Sequence, residues 1–162
     1  MKDITIHGIY ILDSSYYDLI KDIGVPWNDP FIHPVFCFKQ LLESEDIYWM
    51  FPLTSFKEYV EEGNYSDKVL EYIQKPESDI QSCFYHIAKT NRRSIFLISE
   101  ALPVPKDFIK SRYRGFSEVK NKSALFEIDR KFDRILKFER TTPNFTKTHI
   151  TDTFEYMIKH YS

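Results

Sequence analysis

Residues 35–53, which read VFCFKQLLESEDIYWMFPL, are the stretch that indicates the fold. Two strand-length apolar runs, Val35–Leu42 and Ile47–Leu53, lie on either side of an acidic turn at residues 43–46. Short runs rich in Val, Ile, Phe, Tyr and Trp are typical of β-strands, and a short polar turn between two of them is typical of antiparallel neighbours. We therefore predict a β-hairpin over these residues.

Other segments carry strand signals outside this hairpin. The segment Ile4–Ile9 alternates between apolar and polar side chains, and Ser82–Ala88 and Ser94–Ser99 lie on either side of a polar turn. Alternation is the pattern of a half-buried strand. We therefore predict three further strands, after which Pro103 and Pro105 are expected to interrupt the regular structure.

The rest of the chain favours helices. Asp13 or Ser14 can cap a helix at Tyr16–Ile23, and Ser66 can cap one at Asp67–Gln74, because these side chains accept hydrogen bonds from free N–H groups. Three more helices are predicted at Lys106–Tyr113, Lys122–Arg140 and Thr148–Tyr161. Strands first and helices last predict one α+β domain over residues 1–162, with an antiparallel, strongly curved sheet or small barrel and a helical C-terminal third.

Length and composition restrict the class of protein. A chain of 162 residues can form one core, since a domain of this size buries roughly 70% of its unfolded surface. Its apolar runs are far shorter than the ~20 residues of a membrane helix, and the opening MKDITIHG lacks the apolar stretch of a signal peptide. We therefore expect a soluble, cytoplasmic protein, in which Cys37 and Cys83 are buried thiols.

Charge is distributed unevenly along the chain. Residues 1–80 contain 6 Lys and Arg against 15 Asp and Glu, a balance of −9, whereas residues 81–162 contain 16 against 9, a balance of +7. Such asymmetry favours a basic surface that faces a polyanion. The alternative is that folding interleaves the two halves and that the charges only solvate the surface.

A basic stretch in the second half is interleaved with aromatic residues. Tyr113 and Phe116 lie among or beside the cations, and single-stranded RNA is bound through phosphate contacts together with stacking on aromatic rings. The candidate RNA-binding residues are the cations of this stretch, together with Lys39 from the first half: Lys39, Lys89, Arg92, Arg93, Lys106, Lys110, Arg112 and Arg114.

The motif with the most chemical content is Pro52-Leu53-Thr54-Ser55-Phe56-Lys57. A buried strand is followed within a few residues by two hydroxyls and an ammonium group, which together can hold a phosphate. The alternative is structural: Ser55 caps a helix over Phe56–Glu62, and Glu58 completes a capping box. The two readings are compatible, since both use the free N–H groups of a helix N-terminus.

This motif resembles the Pro-Leu-[Ser/Thr]-Ser-x-Lys signature of the ToxN/AbiQ family, the toxins of type III toxin–antitoxin systems. The segment Leu102-Pro103-Val104-Pro105 is similar to the family's Met-Ile-Pro-Val-Pro segment. The stretch Asp13-Ser14-Ser15-Tyr16-Tyr17 is similar to the point where the family places a Tyr at a helix start. The three matches occur in the same order over roughly residues 1–110, and we suspect the CptN branch.

The resemblance implies a core like that of the Kid/MazF toxins with added helices, and an endoribonuclease that uses neither metal nor cofactor. Such enzymes direct the RNA 2′-OH at the adjacent phosphate and leave 2′,3′-cyclic phosphate and 5′-OH ends. By position, Lys57 would stabilise charge on the phosphate, Thr54 and Ser55 would hold phosphate oxygens or the 2′-OH, and Tyr16 would contact phosphate or a base.

The sequence departs from the family pattern at one position. The family has a Lys or Arg about twenty residues before the Ser, whereas here His33 is the only basic residue in residues 31–35. An imidazole can give and take a proton near neutral pH and suits acid–base catalysis. Either His33 takes this role, or Lys39 does from within the strand, or the role is vacant.

The resemblance also implies partners. The inhibitor would be a structured antitoxin RNA of tandem repeats, held with the toxin in a cyclic protein–RNA assembly, and the substrates would be cellular or phage mRNA in antiviral defence. Two alternatives of other classes are a non-catalytic RNA-binding module and a protein-targeting toxin on the same scaffold.

Overall fold

The computed structural model describes residues 3–27, 33–56, 65–90, 92–114 and 118–162. These residues form four α-helices: α1 (Ser14–Asp22), α2 (Tyr65–Ile73), α3 (Lys122–Thr141) and α4 (Ile150–Tyr161). They also form seven strands: β1 (Ile9–Leu12), β2 (Val35–Gln40), β3 (Ile47–Ser55), β4 (Tyr85–Lys89), β5 (Arg93–Leu97), β6 (Leu102–Pro105) and β7 (Ile109–Arg112). Short 3₁₀ turns lie at Ile80–Cys83, Ile98–Glu100 and Lys106–Phe108.

The predicted hairpin is the centre of the sheet. Strands β2 and β3 pair antiparallel from Val35↔Pro52 to Gln40↔Tyr48. The sheet order is β4-β5-β3-β2-β1-β7, and β6 pairs with the first half of β3 while β5 pairs with its second half. One long strand thus serves two neighbours on the same side. The result is the predicted α+β fold with a curved antiparallel sheet, which remains open within the described residues.

Aromatic side chains of the hairpin pack against α3. The Phe132 ring of α3 makes edge contacts with Trp49 at 5.1 Å, Phe51 at 5.0 Å and Phe38 at 5.9 Å between ring centroids. Aromatic pairs at this spacing favour offset or edge-to-face geometry. The helix predicted at Lys122–Arg140 is confirmed as α3, and its apolar face packs on the hairpin.

Helix α4 begins at a residue that supplies no side-chain cap. Its N-cap, His149, has φ of 49°, and no side-chain hydrogen bond from His149 caps the helix. Instead the carboxylate of Glu139 accepts from the Thr151 backbone N–H at 3.1 Å and from its hydroxyl at 2.9 Å. The end of α3 therefore caps α4, which fixes the angle between the two helices.

The predicted first strand is shifted. Strand β1 begins at Ile9 rather than Ile4, because residues 5–8 form a turn in which the Gly8 N–H donates to the Thr5 carbonyl at 3.0 Å. His7 has φ of 71°, which an extended strand does not allow. The alternating pattern therefore extended beyond the residues that pair.

The predicted helix at Lys106–Tyr113 is wrong. This segment forms a 3₁₀ turn and then β7, which pairs with β1 at the edge of the sheet. The expected interruption at Pro103 and Pro105 is also wrong, since both lie in β6. The N–H groups of successive strand residues point to opposite sides. Prolines two residues apart therefore remove donors from one side only, and the other side can still pair.

Smaller boundary differences occur elsewhere. Ser66 is the second residue of α2 and so is not its cap. Ser82 and Cys83, expected to begin a strand, belong instead to the 3₁₀ turn at Ile80–Cys83 before β4. Cys37 and Cys83 are buried free thiols as predicted, and burial raises the pKa of Cys37 to about 12. None of the described helices combines the length and apolar character that crossing a bilayer requires.

Candidate functional site

A cavity of about 140 Å³ lies where several strand ends meet. We call it the strand-end cavity. Its lining combines an imidazole, three hydroxyls, a guanidinium and a phenol on an apolar floor: Ile9, His33, Pro34, Leu53, Thr54, Ser55, Arg92, Ser94 and Tyr113.

Backbone pairing brings these distant residues together. Ser55 at the end of β3 pairs with Ser94 near the start of β5. The Leu53 N–H donates to the Pro34 carbonyl at 2.9 Å, which brings the residues before β2 to the same strand end. The Tyr113 N–H donates to the Ile9 carbonyl at 2.9 Å, which brings the residue after β7 to the cavity. The site is therefore formed by the antiparallel pairing of the strands and by backbone hydrogen bonds at their ends.

The hydroxyls of Thr54 and Ser55 are half-buried at the cavity wall. Within the described residues, neither side chain is engaged in a hydrogen bond, so both are able to bind a ligand oxygen. The expected helix over Phe56–Glu62, with Glu58 and Lys57, lies outside the described residues except for Phe56. Ser55 itself is the last residue of β3.

Arg92 is the cation at the mouth of the cavity. It is exposed, and in the described part of the chain its guanidinium forms no ion pair. Its carbonyl accepts hydrogen bonds from the Thr90 hydroxyl at 3.2 Å and from the Ser94 hydroxyl at 3.1 Å. The two hydroxyls lie 3.0 Å apart. This turn holds the backbone of Arg92 in place and so limits where its side chain can reach.

His33 and Lys39, the two alternatives for the missing basic residue, lie at opposite ends of the hairpin. His33 precedes β2 and lines the strand-end cavity beside Thr54 and Ser55. Lys39 pairs with Trp49 at the far end and lines a separate cavity of about 360 Å³ against α3 and α4. The geometry favours His33, because only it shares a cavity with the two hydroxyls.

Tyr16 lies in the core and away from the cavity. Its side chain is 0% exposed, its hydroxyl donates to the Pro103 carbonyl at 3.0 Å, and its ring packs edge-on against Phe108 at 5.5 Å. Burial raises the pKa of the Tyr16 phenol well above its ordinary value. The interpretation of Tyr16 as a phosphate or base contact does not fit this position.

The remaining predicted RNA-binding residues occupy three places. Lys89 and Arg93 lie on the β4–β5 hairpin, beside the strand-end cavity. Lys106 is paired with Asp46 at 2.7 Å on another part of the surface. At the β7 edge lie the exposed residues Lys110, Arg112 and Arg114. Of the eight predicted cations, Arg92 is the one that lines the strand-end cavity.

Two polar lining residues, Tyr113 and Ser94, were not predicted as site residues. Tyr113 was noted only as an aromatic among cations, and Ser94 had no signal beyond its place at a strand start. In the described ranges no three His, Cys, Asp or Glu side chains are arranged to hold a metal ion.

No family model matches the sequence. No curated protein matches it either. The arrangement itself is suited to an anion near which a proton moves. The guanidinium and hydroxyls can bind oxygens of a phosphate group, and the imidazole can exchange a proton with an adjacent hydroxyl.

Proposed function

We propose that this protein is a metal-independent endoribonuclease toxin of the ToxN/AbiQ type that cleaves single-stranded RNA. The observation that carries the proposal is that His33, Ser55 and Arg92 line one cavity. A proton-transfer group, a hydroxyl and a cation around one small space are what phosphodiester cleavage by an internal nucleophile needs.

In the proposed reaction the ribose 2′-oxygen attacks the adjacent phosphorus. His33 accepts the 2′-OH proton, and the P–O5′ bond breaks as the P–O2′ bond forms. The departing O5′ takes up a proton from water and His33 afterwards releases its proton to the solvent, so that the products are a 2′,3′-cyclic phosphate and a 5′-OH. Charge that accumulates on the non-bridging oxygens is stabilised by the Arg92 guanidinium and by hydrogen bonds from Thr54 and Ser55. A role for Lys57 beside them rests on the resemblance alone.

The position of Tyr113 supports an RNA substrate over a small phosphorylated molecule. Tyr113 lines the cavity, and a phenol ring can stack on an unpaired base. We infer that the enzyme acts on mRNA in the cytoplasm and that a structured repeat RNA inhibits it by occupying the same groove. The exposed cations of β7, Lys110 and Arg112, offer further phosphate contacts for that antitoxin.

Cleavage and binding by matched variants test the proposal. Wild type, Ser55→Ala and His33→Ala are incubated with a labelled single-stranded RNA in excess EDTA, and binding is measured separately by a gel or polarisation assay. We expect cleavage by the wild type, at least a hundredfold slower cleavage by both variants, and binding within a few-fold of wild type. If the wild type binds the RNA but leaves it intact, the protein is a non-catalytic RNA-binding module and not a nuclease.

A further inference from the structure

A second basic cavity lies at the β4–β5 hairpin, which also contributes Arg92 and Ser94 to the candidate active site. It has a volume of about 500 Å³ and is lined by Ile87, Ala88, Lys89 and Arg93. We call it the hairpin cavity. Lys89 and Arg93 are directly paired across β4 and β5, and both are exposed. Two cations therefore lie side by side at the end of the β4–β5 hairpin.

The end of the β4–β5 hairpin contributes residues to both cavities. Arg93 lines the hairpin cavity, whereas the next residue, Ser94, lines the strand-end cavity, as does the preceding Arg92. Two consecutive arginines thus line two different cavities.

The side chain of Arg93 is held over an aromatic ring. Its guanidinium carbon lies 4.4 Å from the Phe56 ring centroid, and the Phe56 N–H donates to the Arg93 carbonyl at 3.0 Å. Cation–π attraction to the ring holds the guanidinium in place, and its N–H donors lie in one plane, the geometry that suits phosphate oxygens. Since Phe56 follows Ser55 directly, this contact ties the second cavity to the strand end that carries the candidate catalytic hydroxyl.

We propose that the hairpin cavity is a subsite for a flanking part of the substrate RNA. One phosphate lies at Arg92 in the strand-end cavity, and the strand then passes over the end of the hairpin so that a neighbouring phosphate meets Lys89 and Arg93. The side chains of Ile87 and Ala88 offer an apolar floor to a ribose or base. Because a duplex is stiff over many base pairs, only an unpaired strand can follow this bend.

This subsite rests on the proposed nuclease function, and substrate length separates the two. A trinucleotide fills the strand-end cavity alone, whereas a single-stranded 12-mer with the same cleavage site also reaches the hairpin cavity. The double variant Lys89→Ala, Arg93→Ala is compared with wild type on both substrates. The control, Lys137→Ala, Lys159→Ala, removes two exposed lysines from the outer surfaces of α3 and α4.

We expect the double variant to lose roughly tenfold or more in kcat/KM on the 12-mer and little on the trinucleotide, since contacts to charged groups are worth at least this factor. Its binding to the 12-mer should also depend less on salt, by a slope of about 0.7 for each lost phosphate contact. The control should match wild type on both substrates. Extending the RNA on only the 5′ or only the 3′ side identifies which flank is bound.

Equal losses on the two lengths, or no loss on the 12-mer, would overturn the subsite while leaving the nuclease intact. If the wild type cleaves neither substrate under any condition, the nuclease proposal itself fails. A 12-mer made double-stranded on both flanks should be cut by wild type no faster than the trinucleotide, and faster cleavage would contradict the bent path.

Discussion

Ser55 and Ser94 are paired across β3 and β5, and both line the strand-end cavity. The two hydroxyls differ in their hydrogen bonding. Ser94 is 6% exposed and its hydroxyl hydrogen-bonds within the hairpin turn, whereas the Ser55 hydroxyl has no hydrogen-bond partner among the described residues. One serine thus supports the turn that carries Arg92, and the other faces the space where a phosphate would bind.

His33 is predicted to be the proton-transfer group, because it lines the cavity beside Thr54 and Ser55. His33→Ala should lower kcat by about 10²–10⁴, the usual contribution of general acid–base catalysis. Lys39→Ala, at the other end of the hairpin, should leave kcat near the wild-type value. Single-turnover cleavage of a short RNA from pH 5 to pH 9 measures both. The opposite ranking of the two variants would move the base to Lys39.

Arg92 is predicted to stabilise the transition state rather than to bind RNA in general. Arg92→Ala should reduce kcat by about 10²–10³ on a short substrate, as removal of one preorganised donor does. Arg92→Lys should recover only part of this loss, because an ammonium cannot contact two phosphate oxygens at once in the planar geometry of a guanidinium.

The control for Arg92 is Arg140→Ala, which removes an exposed arginine near the end of α3. Steady-state rates on a short oligonucleotide give kcat and KM separately. A change confined to KM in Arg92→Ala would assign Arg92 to binding only.

Tyr16 is predicted to contribute to stability but not to the reaction. Tyr16→Phe removes the hydrogen bond to the Pro103 carbonyl and should cost about 1 kcal/mol in the free energy of unfolding, measured by urea denaturation. Its kcat should remain within about twofold of wild type, since the ring is fully buried. A large loss of kcat in a folded Tyr16→Phe protein would show that the phenol acts on the substrate.

His86 makes the stability of the fold depend on pH. It lies on β4, where its Nδ1 is 3.2 Å from the Lys131 ammonium of α3. Burial and the adjacent Lys131 charge lower the pKa of His86 to about 4. Since an unfolded histidine titrates near 6.5, the unfolded chain takes up the proton first as the pH falls. This contribution to stability is complete above pH ~6.5 and is lost between there and about pH 4.

We expect His86→Gln to weaken this pH dependence, because an amide oxygen can still accept from Lys131 but does not titrate. Unfolding free energies at pH 7 and pH 4.5, measured for both proteins, give the comparison. The difference between wild type and variant should change by about 1–2 kcal/mol over this interval, allowing for solvent screening of a partly exposed ring. Parallel pH profiles for the two proteins would contradict the assignment.

The local elements of the fold were predictable, whereas the pairing of distant segments was not. The run Ile47–Leu53 is recognisable as a strand by its length and apolar composition, and α3 is recognisable as a helix by the spacing of its apolar residues. Residues 109–112 contain no strong strand pattern, and they form β7 because the edge of β1 is available to pair with them. Edge pairing is a tertiary effect that a local window does not record.

The same division applies to the candidate site. Thr54, Ser55, His33 and Arg92 were each predicted from the sequence, but their convergence depends on the registers of β2, β3 and β5. Tyr16 was misjudged because a tyrosine at a helix start does not reveal which face of the helix packs inward. Burial decides this, and it follows from the contact of α1 with the sheet core.

The most direct test of the central claim is the chemistry of the product ends. The purified protein is incubated with a long single-stranded RNA in excess EDTA, beside Ser55→Ala, and the 3′ and 5′ ends of every fragment are mapped. The structure and the resemblance together predict 2′,3′-cyclic phosphate and 5′-OH ends from the wild type, and intact RNA from the variant. Ends carrying a 3′-OH and a 5′-phosphate, or equal cleavage by Ser55→Ala, would contradict a metal-independent nuclease that acts through this cavity.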